Sequence, residues 1–175
     1  MNPRIGALLF VTFAALACVV RVDAAQAQAG CTVEQIGGTS RQMLECDSGL
    51  TAIVERGANF FLLDRTRDGK ADAIRLDSGG LLLEFPEGQT ETPIEVVAPQ
   101  AIAAVRGTRW VVDVTESQTS VFVIRGSVAV RRPSGAGEVV LAAGDGVDVT
   151  ADSGPLTVKR WPSARVSALL ERFGQ

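Results

Sequence analysis

The sequence has 175 residues, of which 46% are hydrophobic, and its formal net charge is −3. A chain of this length and composition is typical of one folded unit with one core. Seventeen basic residues against twenty acidic ones leave no positive excess for phosphate backbones, which argues against nucleic acid or anionic lipid as a partner.

Residues 1–29 have the pattern of a secretory signal peptide: Arg4, then an apolar run over residues 5–20, then small residues. We expect cleavage after Ala29, which leaves 15 basic and 19 acidic residues, a net charge of −4. The alternative is a retained anchor, because the apolar run is just short of the about 20 residues that span a bilayer. Export predicts a periplasmic or secreted protein with no membrane insertion after cleavage.

Cys31 and Cys46 are the two cysteines that remain after such a cleavage. Because exported chains fold in an oxidising compartment, we predict a disulfide between them. A crosslink that closes a loop of this size stabilises a domain by about 3 kcal/mol in the chain-entropy model. The alternative is lipidation at Cys31 or Cys18, but both lack the leucine-like residue three positions upstream.

Short runs of β-branched and aromatic residues, separated by Gly, Pro, Asp and Ser, recur as far as Thr150. This spacing predicts an all-β fold, either a jelly-roll-like sandwich or a twisted β-roll of short strands. Residues 30–93 would form an N-terminal β region with the disulfide, and residues 94–150 a second β region of the same domain. The predicted strands are 42–46, 50–55, 59–63, 73–76, 81–85, 94–98, 109–115, 120–124, 127–131, 139–142 and 147–150.

Two of these strands have informative patterns. In residues 109–115, Trp110, Val112 and Val114 share one face, which we assign to the core. Residues 120–124 are apolar on both faces, so we expect this strand near the centre of the packed layers.

Residues 151–175 change to a helical period, and we predict a linker followed by an amphipathic helix over residues 164–173. Ser163 is placed for an N-cap and Gly174 for a C-terminal glycine. We expect the apolar stripe to cap the open end of the β domain, and a docking helix for a partner is the alternative. The stripe consists of Val166, Leu169, Leu170 and Phe173.

Arg-Gly-Thr at residues 106–108 recurs as Arg-Gly-Ser at residues 125–127, and both open a predicted strand. A glycine opens another strand twenty residues later, so we predict structural turns at Gly107, Gly126 and Gly146 in a coiled β-sheet. A phosphate-binding loop would instead need several glycines before a helix, followed by lysine.

The first copy also has a candidate binding role. We consider partner contact by Arg106, Thr108 and Trp110, which lie together in the sequence. The alternative is that the Arg106 guanidinium bonds a neighbouring loop carbonyl.

These residues belong to a longer pattern, "AVRGT", "TSVFVIRGSVAV" and "LAAGDGVDV", with which Ile94 to Thr150 resemble the FecR domain. The resemblance implies a periplasmic, all-β sensing or protein-binding domain without catalytic activity. The iron-siderophore regulators of that family also carry a cytoplasmic anti-sigma segment and a receptor-contacting domain. We expect neither here, and therefore no direct control of a sigma factor.

Asp64, Asp68 and Asp72 lie four residues apart, with Gly69 among them, which faintly resembles a calcium loop. The chain has Thr66 where that loop needs Asp or Asn, and basic residues are interspersed. We therefore predict a charged hairpin turn, with bound calcium as the alternative, and expect no cofactor and no metal.

The sequence has no histidine and no tyrosine, which excludes Ser-His-Asp and Cys-His catalysis and the commonest zinc ligand. The carboxylate pairs Glu84 with Glu87 and Asp145 with Asp148 are better explained as loop charges. We predict a non-enzymatic module of envelope signalling that binds an envelope or inner-membrane protein. The alternatives are an envelope or polysaccharide-modifying enzyme without histidine, and a structural protein of envelope assembly.

Overall fold

The computed structural model describes residues 29–86, 94–105, 107–152 and 154–175. This part of the chain contains thirteen β-strands and one α-helix. The predicted signal peptide lies outside the described residues, except for Ala29. The elements are β1 Cys31–Gln35, β2 Gln42–Cys46, β3 Thr51–Val54, β4 Asn59–Leu63, β5 Ala73–Glu84, β6 Ile94–Val97, β7 Ile102–Val105, β8 Arg109–Val114, β9 Gln118–Arg125, β10 Ser127–Arg131, β11 Glu138–Ala142, β12 Asp145–Thr150, β13 Lys159–Arg160 and α1 Ser163–Glu171.

All thirteen strands belong to one sheet that divides at the long strand β5. The N-terminal half of β5 pairs with β4 and β6, whereas its C-terminal half pairs with β3 and β8. We call β1-β2-β3-β5-β8-β9-β12-β13 the first layer and β4-β5-β6-β7-β10-β11 the second layer. The sheet is curled so that the layers enclose a common core, which confirms the predicted all-β fold with a C-terminal helix.

Glycines mark the points at which the chain passes from one layer to the other. Each passage that the structure describes contains a glycine with positive φ, a conformation that costs glycine little and other residues more. The repeated spacing in the sequence therefore reflects repeated passages between the layers. These glycines are Gly57, Gly79, Gly107, Gly126 and Gly144.

The core lies between the layers and is formed by alternate side chains of each strand. Trp110, Val112 and Val114 of β8 point into it, as the alternation predicted, whereas Val111 lies on the outer face. β9 is buried on both faces, again as predicted, with Phe122 on the outer side. Because β8 and β9 occupy the middle of the first layer, both of their faces are available for packing.

Cys31 and Cys46 form a disulfide with an S–S distance of 2.07 Å, as predicted. The two residues lie directly opposite each other in the antiparallel pair β1 and β2. The crosslink therefore holds β1 against β2 at the edge of the first layer.

The helix α1 packs on the outer face of the first layer, so the expectation that it caps the open end of the domain was wrong. The outer sides of β5, β8 and β9 are apolar, and covering that surface buries the stripe of the helix. The helix begins at Ser163, with Pro162 rather than Ser163 at the N-cap position. The cluster beneath it consists of Leu82, Val111, Phe122, Trp161, Leu169 and Phe173.

Arg172, just after α1, is the main polar contact of this C-terminal segment with the sheet. Its guanidinium donates to the carboxylates of both Glu55 and Asp113, at 2.6 Å in each case. These hydrogen bonds raise the pKa of Arg172 above its ordinary value, so it stays charged. Arg165 makes a similar 2.6 Å contact with Asp148.

The strand predictions differ from the structure in two respects. Residues 73–76 and 81–85 were predicted as separate strands, but both belong to β5, because Gly79 bends the strand without ending it. Three strands were missed: β1, the alanine-rich β7 and the two-residue β13. Within the described residues, no helix is both long and apolar enough to cross a membrane.

Candidate functional site

The two layers differ in what covers their outer faces. α1 and Trp161 cover the first layer, whereas no described helix or strand packs over the second layer. We call the outward side of β4, β5, β6, β7, β10 and β11 the open face. It is the candidate binding surface of the molecule.

Strand pairing places the side chains of the open face in two rows, and alanine, valine, isoleucine and one charged residue, Glu95, occupy the middle. Because most of these side chains are short, the centre of the face is flat. A flat, mainly apolar surface is suited to contact with another protein. One row consists of Phe61, Arg75, Val97, Ile102, Arg131 and Glu138, and the other of Leu63, Ala73, Glu95, Ala104, Ala129 and Val140.

Two large apolar side chains of the open face are exposed to solvent. Phe61 on β4 is 44% exposed, and Val140 on β11, at the opposite edge of the layer, is 64% exposed. Val158, which is 38% exposed, is the third large apolar side chain of this kind among the described residues and lies away from the face. Exposed apolar side chains at both ends of one face indicate a contact surface.

Three of the four charged side chains in the two rows of the open face, Glu95, Arg131 and Arg75, are paired within the chain. Glu95 accepts hydrogen bonds from Arg65 at 2.9 Å and from Arg131 at 3.2 Å. The Arg75 guanidinium lies 4.2 Å from the centre of the Phe61 ring and 3.3 Å from Asp77. A partner that covers this face would therefore bury few unpaired charges, which keeps the desolvation cost low.

The predicted contact residues of the first Arg-Gly copy do not form a surface. Thr108 and Trp110 are fully buried, so the hypothesis that they contact a partner is wrong. Trp110 is a core residue, and the Thr108 hydroxyl donates to the carbonyl oxygen of Ser127 at 3.0 Å. Arg106 lies outside the described residues. Arg125, its counterpart in the second copy, donates to Glu84 at 3.1 Å.

The predicted turn glycines are correct at two positions and wrong at the third. Gly107 and Gly126 have φ of 62° and 85° at passages between the layers. Gly146 lies inside β12, and the passage glycine there is Gly144, with φ of 86°. Position 146 requires glycine for a different reason, because a Cβ there would overlap the Trp161 indole.

The segment with Asp64, Asp68 and Asp72 connects the antiparallel strands β4 and β5, so it is a hairpin connection, as predicted. Asp64 accepts hydrogen bonds from the backbone N–H groups of Asp68 and Gly69, at 3.1 and 2.9 Å. Burial acts to raise the pKa of Asp72, but hydrogen bonds from Arg65 and from backbone N–H groups outweigh it and lower the pKa. Among the described residues, no group of acidic or cysteine side chains is arranged to hold a metal ion.

A groove of about 360 Å³ lies at one end of the sandwich, lined by Pro99, Arg132 and Thr150 among others. The Arg132 guanidinium is already bonded to the carbonyl oxygens of Thr150 and Gly154, at 2.6 and 2.8 Å. The Arg132 guanidinium therefore serves the loop itself rather than pointing at a ligand.

These features define an all-β module with one covered and one uncovered face. A family model described as FecR protein matches residues 32–129, more than half of the sequence. The chain belongs to the FecR family. The match begins well before Ile94, so it includes much of the N-terminal β region as well as the segment with the Arg-Gly copies.

Two crystal structures of a candidate anti-sigma factor from Parabacteroides distasonis ATCC 8503, at 1.65 and 2.50 Å resolution, have a similar fold. The TM-score is 0.58 and the sequence identity 18% for both. The aligned region covers 74% and 80% of this chain, but only 60% and 64% of theirs. No curated protein matches the sequence.

Proposed function

We propose that this FecR-family chain is an exported, non-enzymatic module that binds an envelope or inner-membrane protein through the open face. The observation that carries the proposal is the exposure of Phe61 and Val140 at the two ends of one flat face. A signalling role is supported by the family and by the likeness to a protein described as a candidate anti-sigma factor.

The other features of the chain are consistent with this role. Residues 1–29 have a signal-peptide pattern, and the disulfide between Cys31 and Cys46 suits an oxidising compartment. The alternative, a polysaccharide-modifying enzyme, would require polar groups converging in a deep pocket. The groove around Arg132 does not supply such a group, because the guanidinium is bonded to loop carbonyls.

The proposal is tested by crosslinking in the native host. A photo-crosslinking amino acid is placed at Val140, and in a second strain at Val158, whose exposure is also high but which lies off the face. We expect a specific envelope protein to be captured from position 140 and not from position 158. Equal capture from both positions, or capture from neither position in the native host, would contradict the proposal.

Export is tested separately by sequencing the N-terminus of the protein from the periplasmic fraction. Cleavage after Ala29 is expected. A mature chain that still begins at Met1 would show that the signal-peptide prediction is wrong.

A further inference from the structure

The strand β4 is an edge strand without the features that usually protect such an edge. Among the strands that the structure describes, it pairs only with β5, and the other edge strands are β1, β11 and β13. Natural sheets protect exposed edges with charges, proline or bulges. β1 contains Glu34, β11 contains Glu138 and β13 consists of two basic residues, whereas the β4 sequence NFFLL has no charge and no proline.

The apolar side chains of β4 are incompletely covered on both faces. Phe61 points to the open face and is 44% exposed, while Phe60 and Leu62 point inward and are only half-buried. Among the described residues, no group outside β5 makes a backbone hydrogen bond with residues 59–62. The pairing of β4 with β5 contains a register shift, and the unpaired extra residue, Asp77, belongs to β5. β4 itself is therefore an uninterrupted strand.

We propose that β4 pairs with β4 of a second copy of this chain, antiparallel and centred on Phe61. This register sets Phe61 opposite Phe61 of the second copy and Phe60 opposite Leu62, so large apolar side chains meet on both faces. A two-fold axis allows the same edge to serve both copies. The pairing goes beyond the proposed function, since it requires no other protein.

The charges that flank β4 favour the same arrangement. Arg56 precedes the strand and has no ion-pair partner among the described residues, and the carboxylate of Asp64 follows the strand. Antiparallel pairing brings Arg56 of one copy beside residues 64–67 of the other, where Arg65 is already paired with Asp72 and Glu95. Asp64 attracts Arg56 there and Arg67 repels it, whereas parallel strands would bring only like charges together, so the charges favour the antiparallel arrangement over the parallel one.

The small size of the contact limits its strength. Five residues on each copy and their neighbours bury less than the about 1,200 Å² of a standard interface, so a weak dimer is expected. Its dissociation constant should be on the order of tens of micromolar. In the dimer, the open faces of the two copies continue into one surface of twelve strands.

Sedimentation velocity of the purified chain from residue 30 to 175 tests the dimer between about 1 and about 500 μM. We expect the wild type to become dimeric as its concentration rises. Phe61→Lys should weaken the dimer at least about tenfold while the chain still unfolds in a cooperative thermal transition, because a buried charge would remain at the contact. Val140→Lys, on the edge strand at the opposite end, should dimerise like wild type.

Cysteine variants test the register. Under mild oxidation, Phe61→Cys should form a disulfide-linked dimer, whereas Val140→Cys and Val158→Cys should not. Asn59→Cys mixed with Leu63→Cys should crosslink, while each of these two variants alone should not, because positions 59 and 63 face each other only between copies.

Two results would overturn the proposal. One is a chain that remains monomeric at 500 μM, and the other is crosslinking of Val140→Cys as efficient as that of Phe61→Cys. If the chain is monomeric and its Phe61→Cys variant forms a disulfide with a different envelope protein, the edge is assigned to a strand of that protein. None of these experiments depends on capture of a partner from Val140, so the dimer and the proposed function can fail separately.

Discussion

The carbonyl oxygen of Gly107 lies only 2.8 Å from the position that a Cβ of residue 126 would take, so a side chain at Gly126 would clash with the backbone of the first copy. The two Arg-Gly copies therefore pack directly on each other. Thr108 strengthens the contact by donating its hydroxyl hydrogen to the carbonyl oxygen of Ser127. The two Arg-Gly copies in the sequence thus form two neighbouring points at which the chain passes between the layers.

Gly126→Ala should destabilise the protein by about 2–4 kcal/mol, because it combines a strained positive φ with a clash against backbone. Gly135→Ala is the matched control, since Gly135 has nearly the same φ but nothing within 4 Å of its Cβ position. That variant should lose only about 1 kcal/mol. Urea denaturation of both variants makes the comparison, and equal losses would refute the close packing of the two copies.

Gly146→Ala should loosen the C-terminal segment, because the new methyl group would displace Trp161 from its stack on Phe122. A loss of about 1–3 kcal/mol is expected. In a Trp110→Phe background, the fluorescence of Trp161 should shift to the red. The loss should vanish when Trp161→Ala is already present, and full additivity of the two changes would show that the indole is not the obstacle.

Arg172→Met should destabilise the packing of α1, because it leaves the carboxylates of Glu55 and Asp113 partly buried without their donor. We expect a loss of about 1–2 kcal/mol, less than for a fully buried pair, since the Arg172 side chain is 35% exposed. Arg125→Met, which removes a more exposed ion pair with Glu84, should change stability by less than about 0.5 kcal/mol. Thermal melts of the two variants provide the test.

Acid should weaken the contact between Asp148 and α1. Burial acts to raise the pKa of Asp148, but hydrogen bonds from Arg165 and Ser120 outweigh it and lower the pKa below the ordinary value. The unfolded chain therefore binds the proton more readily than the folded one. The stabilisation is complete above the ordinary Asp pKa of about 4 and is lost as the pH falls through the lower folded value.

Asp148→Asn should accordingly be less stable than wild type at pH 7 and should approach wild-type stability near the acid end. Melting temperatures of both proteins across the acid range show whether the two curves converge. A constant difference between them at every pH would exclude titration of Asp148 as the cause.

The sequence predicted burial best where one strand has a clear local pattern of apolar residues. The alternation around Trp110 identified the core face of β8, and the apolar run of β9 identified a strand buried on both sides. The location of α1 was not predictable from its own stripe, because it depends on which sheet face remains apolar after folding. Thr108 illustrates the same difficulty, since a polar residue beside a glycine is expected at the surface, whereas Thr108 is buried and its hydroxyl is bonded to Ser127.

The open face is also hard to infer from sequence alone. Its centre is formed by small residues such as Ala104 and Ala129, which have weak strand signals, and for that reason β7 was missed. The exposed residues Phe61 and Val140 lie about eighty positions apart in the sequence. Only the order of strands in the second layer places them on one surface.

The long strand β5 has a consequence for how the molecule unfolds. Because its two halves belong to different layers, neither layer can separate while the other remains intact. A fragment ending before β6 would leave one edge of β5 unpaired in both layers, so it should not fold by itself. Amide hydrogen exchange should consequently be slowest along β5, and its protected amides should open together in a single global event rather than layer by layer.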